Sequence, residues 1–426
     1  MVKTNWRLQY GRYRTARPAA QKKTETCSLG ESFASVLAPY SPGFRRFDRD
    51  PIVGSDHQHC DRFLYLNTAP FSFGKREFLV RVYIDTLTYG ILKSDHVQGV
   101  SAMCTALSYK SREHYFGRNL DLEYSFHEQV TISPRNYPFQ FRNGHKIQSH
   151  YAIIGMATIS DNFPLYYEAT NEKGLSIAGL NFPGNAVYHP KNERKTNIAS
   201  FELIPWILCQ CKNTVEALQL LKEVNLWNTP FSDAFPLSPL HWMLSDRDQS
   251  FTLEPLQDGL MVHHNPIGVL TNNPPFEYHL YHLSEYLNLT SNTPTNRFSE
   301  DLDLNPFSFG MGSVGLPGDP SSPSRFVKAS FVKWNSKHES TESAAVNQCF
   351  HILSSVAQQK GITHVKDGKY EFTLYTSCCN TDRGIYYYTT YENSCITAVS
   401  LYQEDLNSSS LIAYPMRKNW IVKHEN

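Results

Sequence analysis

Residues 104–109 alternate apolar and polar side chains, residues 110–113 interrupt the alternation, and residues 114–122 resume it. Successive side chains of a strand point to opposite faces, so this period of two predicts a hairpin with one face on a core. The same pattern predicts strands at 151–159 and 174–180. The spacing then becomes helical. Residues 201–211 are apolar at helical intervals, and Asn213 with Glu216 forms a cap for a helix over 214–224. That helix would place Val215, Leu218, Leu221 and Val224 on one stripe. Strand patterning returns over 241–255 and 260–270. A stretch rich in Asn, Ser, Thr and Pro predicts a long excursion at 283–309. Helices follow at 324–334 and 342–359, the second closed near Gly361. Residues 372–379, 384–391 and 396–402 predict a meander, with turns at 380–384 and 392–394. This order of strands and helices is that of an α+β chain, in which helices cover mainly antiparallel sheets.

The first hundred residues carry no comparable signal. Residues 1–51 lack a sustained period, and 78–92 predicts a strand or two with nothing nearby to pair with. The charge differs too. Residues 1–103 hold 15 Lys and Arg against 9 Asp and Glu, an excess of +6 hidden in a chain of zero net charge. Those charges are scattered and form no basic-aromatic module, so no nucleic-acid partner is expected, and the acidic remainder argues against polyanions. The best apolar window, 152–159, is far short of the roughly 18 residues that a membrane helix needs. The first twenty residues are basic without an apolar stretch, so no secretory signal is expected. Nine cysteines at no framework spacing suit a reducing compartment, and neither Cys209-x-Cys211 nor Cys378-Cys379 has the two-residue gap of a zinc knuckle.

The run Gly310-x-Gly312-x-x-Gly315 satisfies a dinucleotide-binding pattern. That pattern needs a helix opening inside it, which Pro317 and Pro320 block. The informative segment is MCTA at 103–106, followed by FGRNLD at 116–121. In a chain starting at Met103, loss of the initiator methionine would leave Cys104 with a free amine. An α-amine titrates near neutrality, at roughly 7.7–8.0, and would supply its own thiol with a base.

These residues, with EQVTISPRNY at 128–137, NEKGL at 171–175, AGLNFP at 178–183, GVLTN at 268–272 and GLPGD at 315–319, closely resemble the choloylglycine hydrolases. That family holds bile salt hydrolases and penicillin V acylases. The resemblance spans residue 103 to about 415. It implies the N-terminal-nucleophile hydrolase fold, an αββα sandwich of two antiparallel sheets between helix layers. By the same resemblance Cys104 is the nucleophile, with Arg118 and Asp121 beside it. Asn181, through its backbone N–H, and Asn272, through its side-chain amide, form the oxyanion site, and Arg325 supports the constellation. Leu120 and Asn171 are expected to bind substrate, as are Phe231 and Phe235 from the composition of their loop.

Asn181 stands where the bile-salt branch tends to have Asn and the penicillin branch Tyr. The loop at 229–240, with Phe231 and Phe235, would suit an apolar lid over a sterol body. The expected function is cleavage of glycine- or taurine-conjugated bile acids by a cytoplasmic bacterial amidase. No cofactor or metal is implied, and the resemblance suggests a homotetramer with 283–309 as a contact. The alternatives are a penicillin V acylase and, if the extension stays attached, a silent ligand-binding protein. The departure from the family is residues 1–103, expected to be a mis-assigned start or a removed segment. Codons for residues 98–100 can spell a ribosome-binding sequence ahead of Met103. The catalytic domain would then be 104–426.

Overall fold

The hairpin anticipated at 104–122 is the centre of the first of two large antiparallel sheets. In this computed structural model, which describes residues 103–338 and 340–426, strand Met103–Lys110 pairs with His114–Leu122. The register sets Cys104 opposite Leu120 and Ala106 opposite Arg118. Val269–Leu270 flanks the hairpin on one side. Tyr370–Asn380, Ile385–Thr390 and Thr397–Ser400 follow in sequence on the other, as the expected meander. Gly117 sits where His114–Leu122 meets Tyr370–Asn380: a Cβ there would come within 2.0 Å of the Ser377 carbonyl oxygen, so only glycine keeps the ladder closed beside Arg118. The strand or two expected at 78–92 lies outside the described residues.

The second sheet runs in the order Gly259–His264, Ser250–Leu256, Leu240–Ser245, Ser176–Asn181, Phe163–Asn171, Ile153–Ser160, Gln129–Ser133 and Ile412–Pro415. Period two decides what each face meets. Ile177 packs outward with Leu203, Ile207, Leu208 and Ala217, whereas the adjacent Ala178 joins Leu107 and Tyr375 of the first sheet. Helices Leu203–Gln210 and Thr214–Leu221 therefore cover the second sheet. Helices Ser322–Asn335 and Glu342–Ser354 cover the first, through Phe326, Ala329, Val346, Cys349 and Ile352. The layers are helix, sheet, sheet, helix.

Several expectations need adjustment. Asn213 does cap its helix, accepting from the Glu216 N–H at 2.9 Å, but the helix stops at Leu221 and Val224 begins a strand, Val224–Trp227. The buried face is Thr214, Ala217 and Leu221, and Val215 is 65% exposed. The apolar run at 260–270 is two strands in two different sheets, since Val269–Leu270 crosses to pair with Met103–Lys110. Strands Gln129–Ser133 and Phe163–Asn171 and helix Phe276–Leu283 were not anticipated. The glycine pattern at 310–315 holds one 3-10 turn, Met311–Ser313, in a loop.

Candidate active site

Cys104 is the second residue of a central strand, 2% exposed, and its backbone N–H donates to Asn272 Oδ1 at 2.8 Å. Strand pairing brings the rest of its surroundings. Leu120 lies directly opposite, and Arg118 and Asp121 flank it on the same strand, all buried. Burial pushes the Cys104 thiol up. The charges of Arg118 and Arg325 and a hydrogen bond from the Asp121 backbone act against that, while the Asp121 carboxylate adds to it.

Arg118 is held from the second sheet. Its Nη1 donates to the carbonyls of Tyr167 at 3.0 Å and Gly179 at 2.7 Å, and its Nε lies 3.8 Å from Glu168 Oε2. Burial opposes its charge, but the surrounding acidic groups outweigh it and raise the guanidinium's pKa. Asp121 Oδ1 accepts from Thr373 at 2.6 Å, and burial lifts its carboxyl to about 6 against the pull of Arg325, Thr373 and Arg118. Arg118 Nη2 and Asp121 Oδ2 are buried and make no hydrogen bond among the described residues.

Asn272 ties the other half of the site together. Its Oδ1 accepts from Arg325 Nη2 as well as from Cys104, and its Nδ2 donates to the Asn181 carbonyl at 2.8 Å. Arg325, on helix Ser322–Asn335, also donates through Nη1 to the Cys104 carbonyl and to Thr105 Oγ1. Five of the expected site residues thus touch or adjoin Cys104. Asp121, Arg118 and Leu120 come with the hairpin. Asn272 and Arg325 arrive from distant parts of the chain.

From Cys104 a cavity of about 270 Å³ opens between the sheets and the loop at 229–240, just below the usual range for small-molecule pockets. Leu120, Leu122, Phe126, Tyr167, Phe201, Phe231 and Phe235 line it, with Arg118 and Asn181 at its polar end. Phe231 packs edge-on to Phe201 at 5.2 Å and Phe235 reaches Phe126 at 6.0 Å. The Arg142 guanidinium lies over both Phe201 and Phe231 and donates to the Phe231 carbonyl, which anchors the loop.

Asn171 is placed elsewhere. Its amide nitrogen donates to the carbonyls of Leu208 and Cys211, and its oxygen accepts from the N–H groups of Lys173 and Leu175. All four contacts fasten a turn to the end of a helix, and the residue does not line the cavity. Four residues of the neighbourhood had no signal in the sequence. Glu168 takes hydrogen bonds from Tyr375, Ser377 and Tyr386 behind Arg118. Glu371 accepts from the Met103 N–H at 2.7 Å, and burial raises its carboxyl to about 8. His241 and His279 lie behind Asn272. Each is joined to the site only by tertiary contact, which no spacing along the chain encodes.

Residues 104–414 match the family described as linear amide C–N hydrolases, choloylglycine hydrolase family. The chain is 53% identical over 315 residues to a bile salt hydrolase/transferase of Lactiplantibacillus plantarum, covering 74% of this chain and 97% of that one. It is 37% identical to a bile salt hydrolase/transferase of Clostridium perfringens, across 76% of this chain and all of the relative. The crystal structure of a variant of conjugated bile acid hydrolase from Clostridium perfringens superposes with a TM-score of 0.71 at 36% identity, covering 76% of this chain and 100% of that one. Penicillin V acylase from Agrobacterium tumefaciens shares the fold, with a TM-score of 0.58 at 19% identity over 73% of this chain and 90% of that one. The architecture is the αββα sandwich of the N-terminal-nucleophile hydrolases. This chain belongs to the choloylglycine hydrolase family, the linear amide C–N hydrolases.

Proposed function

We propose that the protein hydrolyses the amide bond joining a bile acid to glycine or taurine, with Cys104 as nucleophile. The observation that carries this reading is the position of the Cys104 thiol, between an aromatic-lined cavity and the Arg118–Asp121 pair, in a chain 53% identical to a bile salt hydrolase/transferase. The sterol body would occupy the space between Phe126, Phe231, Phe235 and Leu120, where apolar burial supplies binding. Phe235 would close over it as the loop's outer wall.

The chemistry requires a free α-amine on Cys104. Residues 1–103 are therefore taken as absent from the active chain, and 104–426 as the catalytic domain. The amine would keep the place of the present N–H, donating to Asn272 Oδ1. It takes the thiol proton as sulfur attacks the scissile carbonyl. The Asn181 backbone N–H and the Asn272 side-chain amide receive the developing oxyanion, as neutral preorganised donors. The amine then passes the proton to the leaving nitrogen, and glycine or taurine departs. Water, deprotonated by the same amine, hydrolyses the thioester and restores the thiol. Arg118 favours the thiolate, and Arg325 holds the Cys104 carbonyl and Asn272 in place.

Cys104, Cys209, Cys211, Cys349, Cys378, Cys379 and Cys395 are all free thiols, which supports a cytoplasmic location. Among the described residues no helix is long and apolar enough to cross a membrane. The excursion after helix Phe276–Leu283 exposes Leu287, Phe298, Phe307 and Phe309, each more than 80% accessible, which supports a homotetramer built through this segment. The substrate class is tested by comparing release from taurocholate and glycocholate with hydrolysis of penicillin V. Conjugated bile salts should be cleaved at least tenfold faster, by roughly 1.4 kcal/mol of transition-state preference. The reverse ranking would move the protein to the penicillin V acylases.

A further inference from the structure

Asn272 is held by its backbone as closely as by its side chain, through groups with no part in the chemistry above. Its N–H donates to Ser322 Oγ at 2.8 Å. Its carbonyl oxygen lies 2.9 Å from His279 Nε2, and the carbonyl oxygen of Thr271 lies 2.8 Å from His241 Nε2. Two imidazoles therefore meet two consecutive carbonyls, and both side chains are fully buried.

A carbonyl only accepts, so each Nε2 carries a proton. Burial keeps His279 neutral by lowering its pKa to about 4, which fixes its single proton on Nε2. His241 Nδ1 faces Glu254 Oε1 at 3.2 Å. Glu254 Oε1 also accepts the Phe276 N–H at 2.9 Å, at the start of the helix that carries His279. The two histidines thus belong to one connected frame.

The frame touches the rest of the site on both sides. The His241 ring lies parallel to Phe182 at 4.2 Å, and Phe182 follows Asn181. The His279 ring stacks on Phe326 at 4.8 Å, and Phe326 follows Arg325. A buried histidine is ordinarily a satisfied core residue. The coincidence of both on the 271–272 backbone distinguishes these two.

We infer that His241 and His279 are positioning residues that hold the Thr271–Asn272 backbone so that the Asn272 amide meets the oxyanion in the transition state. The inference rests on the hydrolase reading, because the oxyanion belongs to that reaction. An oxyanion donor acts on the transition state and not on ground-state binding, so its misplacement lowers kcat and leaves KM alone. Alkylation of Cys104 by iodoacetamide uses the same thiol and forms no oxyanion, so it separates this role from general damage to the site.

The test compares His241→Leu, His279→Leu and the corresponding Gln variants with wild type, in the full 426-residue chain and in a chain beginning at Met103. Leucine removes the donor, whereas the amide of glutamine reaches the place of Nε2. The leucine variants should lose about 10- to 100-fold in kcat for conjugated bile salt, with KM within about twofold. The Cys104 alkylation rate should fall far less than kcat, because Arg325 still holds Asn272 Oδ1 beside the Cys104 nitrogen, and glutamine should restore most of the loss. If leucine prevents folding, asparagine draws the donor back from the carbonyl, and the same split is expected. Hydrolysis within twofold of wild type in a folded leucine or asparagine variant would overturn the inference. So would a parallel loss of alkylation. Wild type that alkylates normally yet cleaves no conjugate in either chain would refute the hydrolase reading itself, and this inference with it.

Discussion

At the scale of single residues, the Cys104 thiol is governed by opposing influences of similar kind. Burial disfavours the thiolate, Arg118 and Arg325 favour it, and Asp121 opposes it. A serine hydroxyl is far less acidic than a thiol and gains too little from the same surroundings. Cys104→Ser should therefore fold and bind conjugated bile salt while losing at least about a thousandfold in turnover, measured as glycine or taurine released. Glu371 gives a separate, pH-dependent handle. Its folded carboxyl is raised by burial from the ordinary 4.5 to about 8, so it stays protonated where the unfolded chain has already ionised. The stability it contributes is complete below pH 4.5 and is lost as pH rises through 8. Glu371→Gln stays neutral throughout. Its melting temperature should gain on wild type by roughly 2–4 °C for each kcal/mol involved, in melts at pH 5 and pH 8. A difference independent of pH would contradict the assignment.

Which site residues could be read beforehand follows from where their information lies. Cys104, Arg118, Leu120 and Asp121 sit in one hairpin, and strand periodicity alone brings them together. Asn181, Asn272 and Arg325 were legible only through the family motifs around them. Asn171 lies in such a motif, yet its side chain is spent on Leu208, Cys211, Lys173 and Leu175, which is a folding role. Glu168, Glu371, His241 and His279 had no local signature at all.

At the scale of elements, the loop at 229–240 is the part that shapes the pocket. Phe231 is locked into a ring cluster with Phe163, Phe201 and Phe235, whereas Phe235 stands nearer the opening and touches Phe126. Removing the Phe235 ring should cost apolar contact with the sterol and little else. Phe235→Ala should raise KM for taurocholate about tenfold, near the low end of the 1.5–3 kcal/mol for burying such a side chain, with kcat nearly unchanged. Equal falls in kcat and kcat/KM would instead place Phe235 in the transition state. Element types were legible where a period persisted and failed where packing overrode it. Helix Thr214–Leu221 buries Thr214 and Ala217 because its contact face is set by the sheet beneath it, so the apolar Val215 is left outside. The run at 260–270 looked continuous because both of its pieces are apolar, although they belong to different sheets.

For the whole molecule, alternating strands and amphipathic helices indicated an α+β chain, but not which strand joins which sheet. That depends on pairings across hundreds of residues, such as Asn119 with Thr376. The exposed apolar excursion gives a prediction at this scale. If the proposed tetramer forms through this segment, replacing Phe307 and Phe309 together with serine should reduce the sedimenting mass to that of smaller species, without lowering the melting temperature of the subunit. An unchanged mass would remove this segment from the interface.

The most direct test of the central claim is free amino acid release by two forms of the chain, the full 426 residues and one beginning at Met103, with both N-termini sequenced. The account predicts that the shorter chain begins with Cys104 and liberates taurine or glycine from conjugated bile salts. The longer chain should be silent unless cut before Cys104, because an acylated nitrogen cannot take the thiol proton. An uncut long chain as active as the short one would contradict the account.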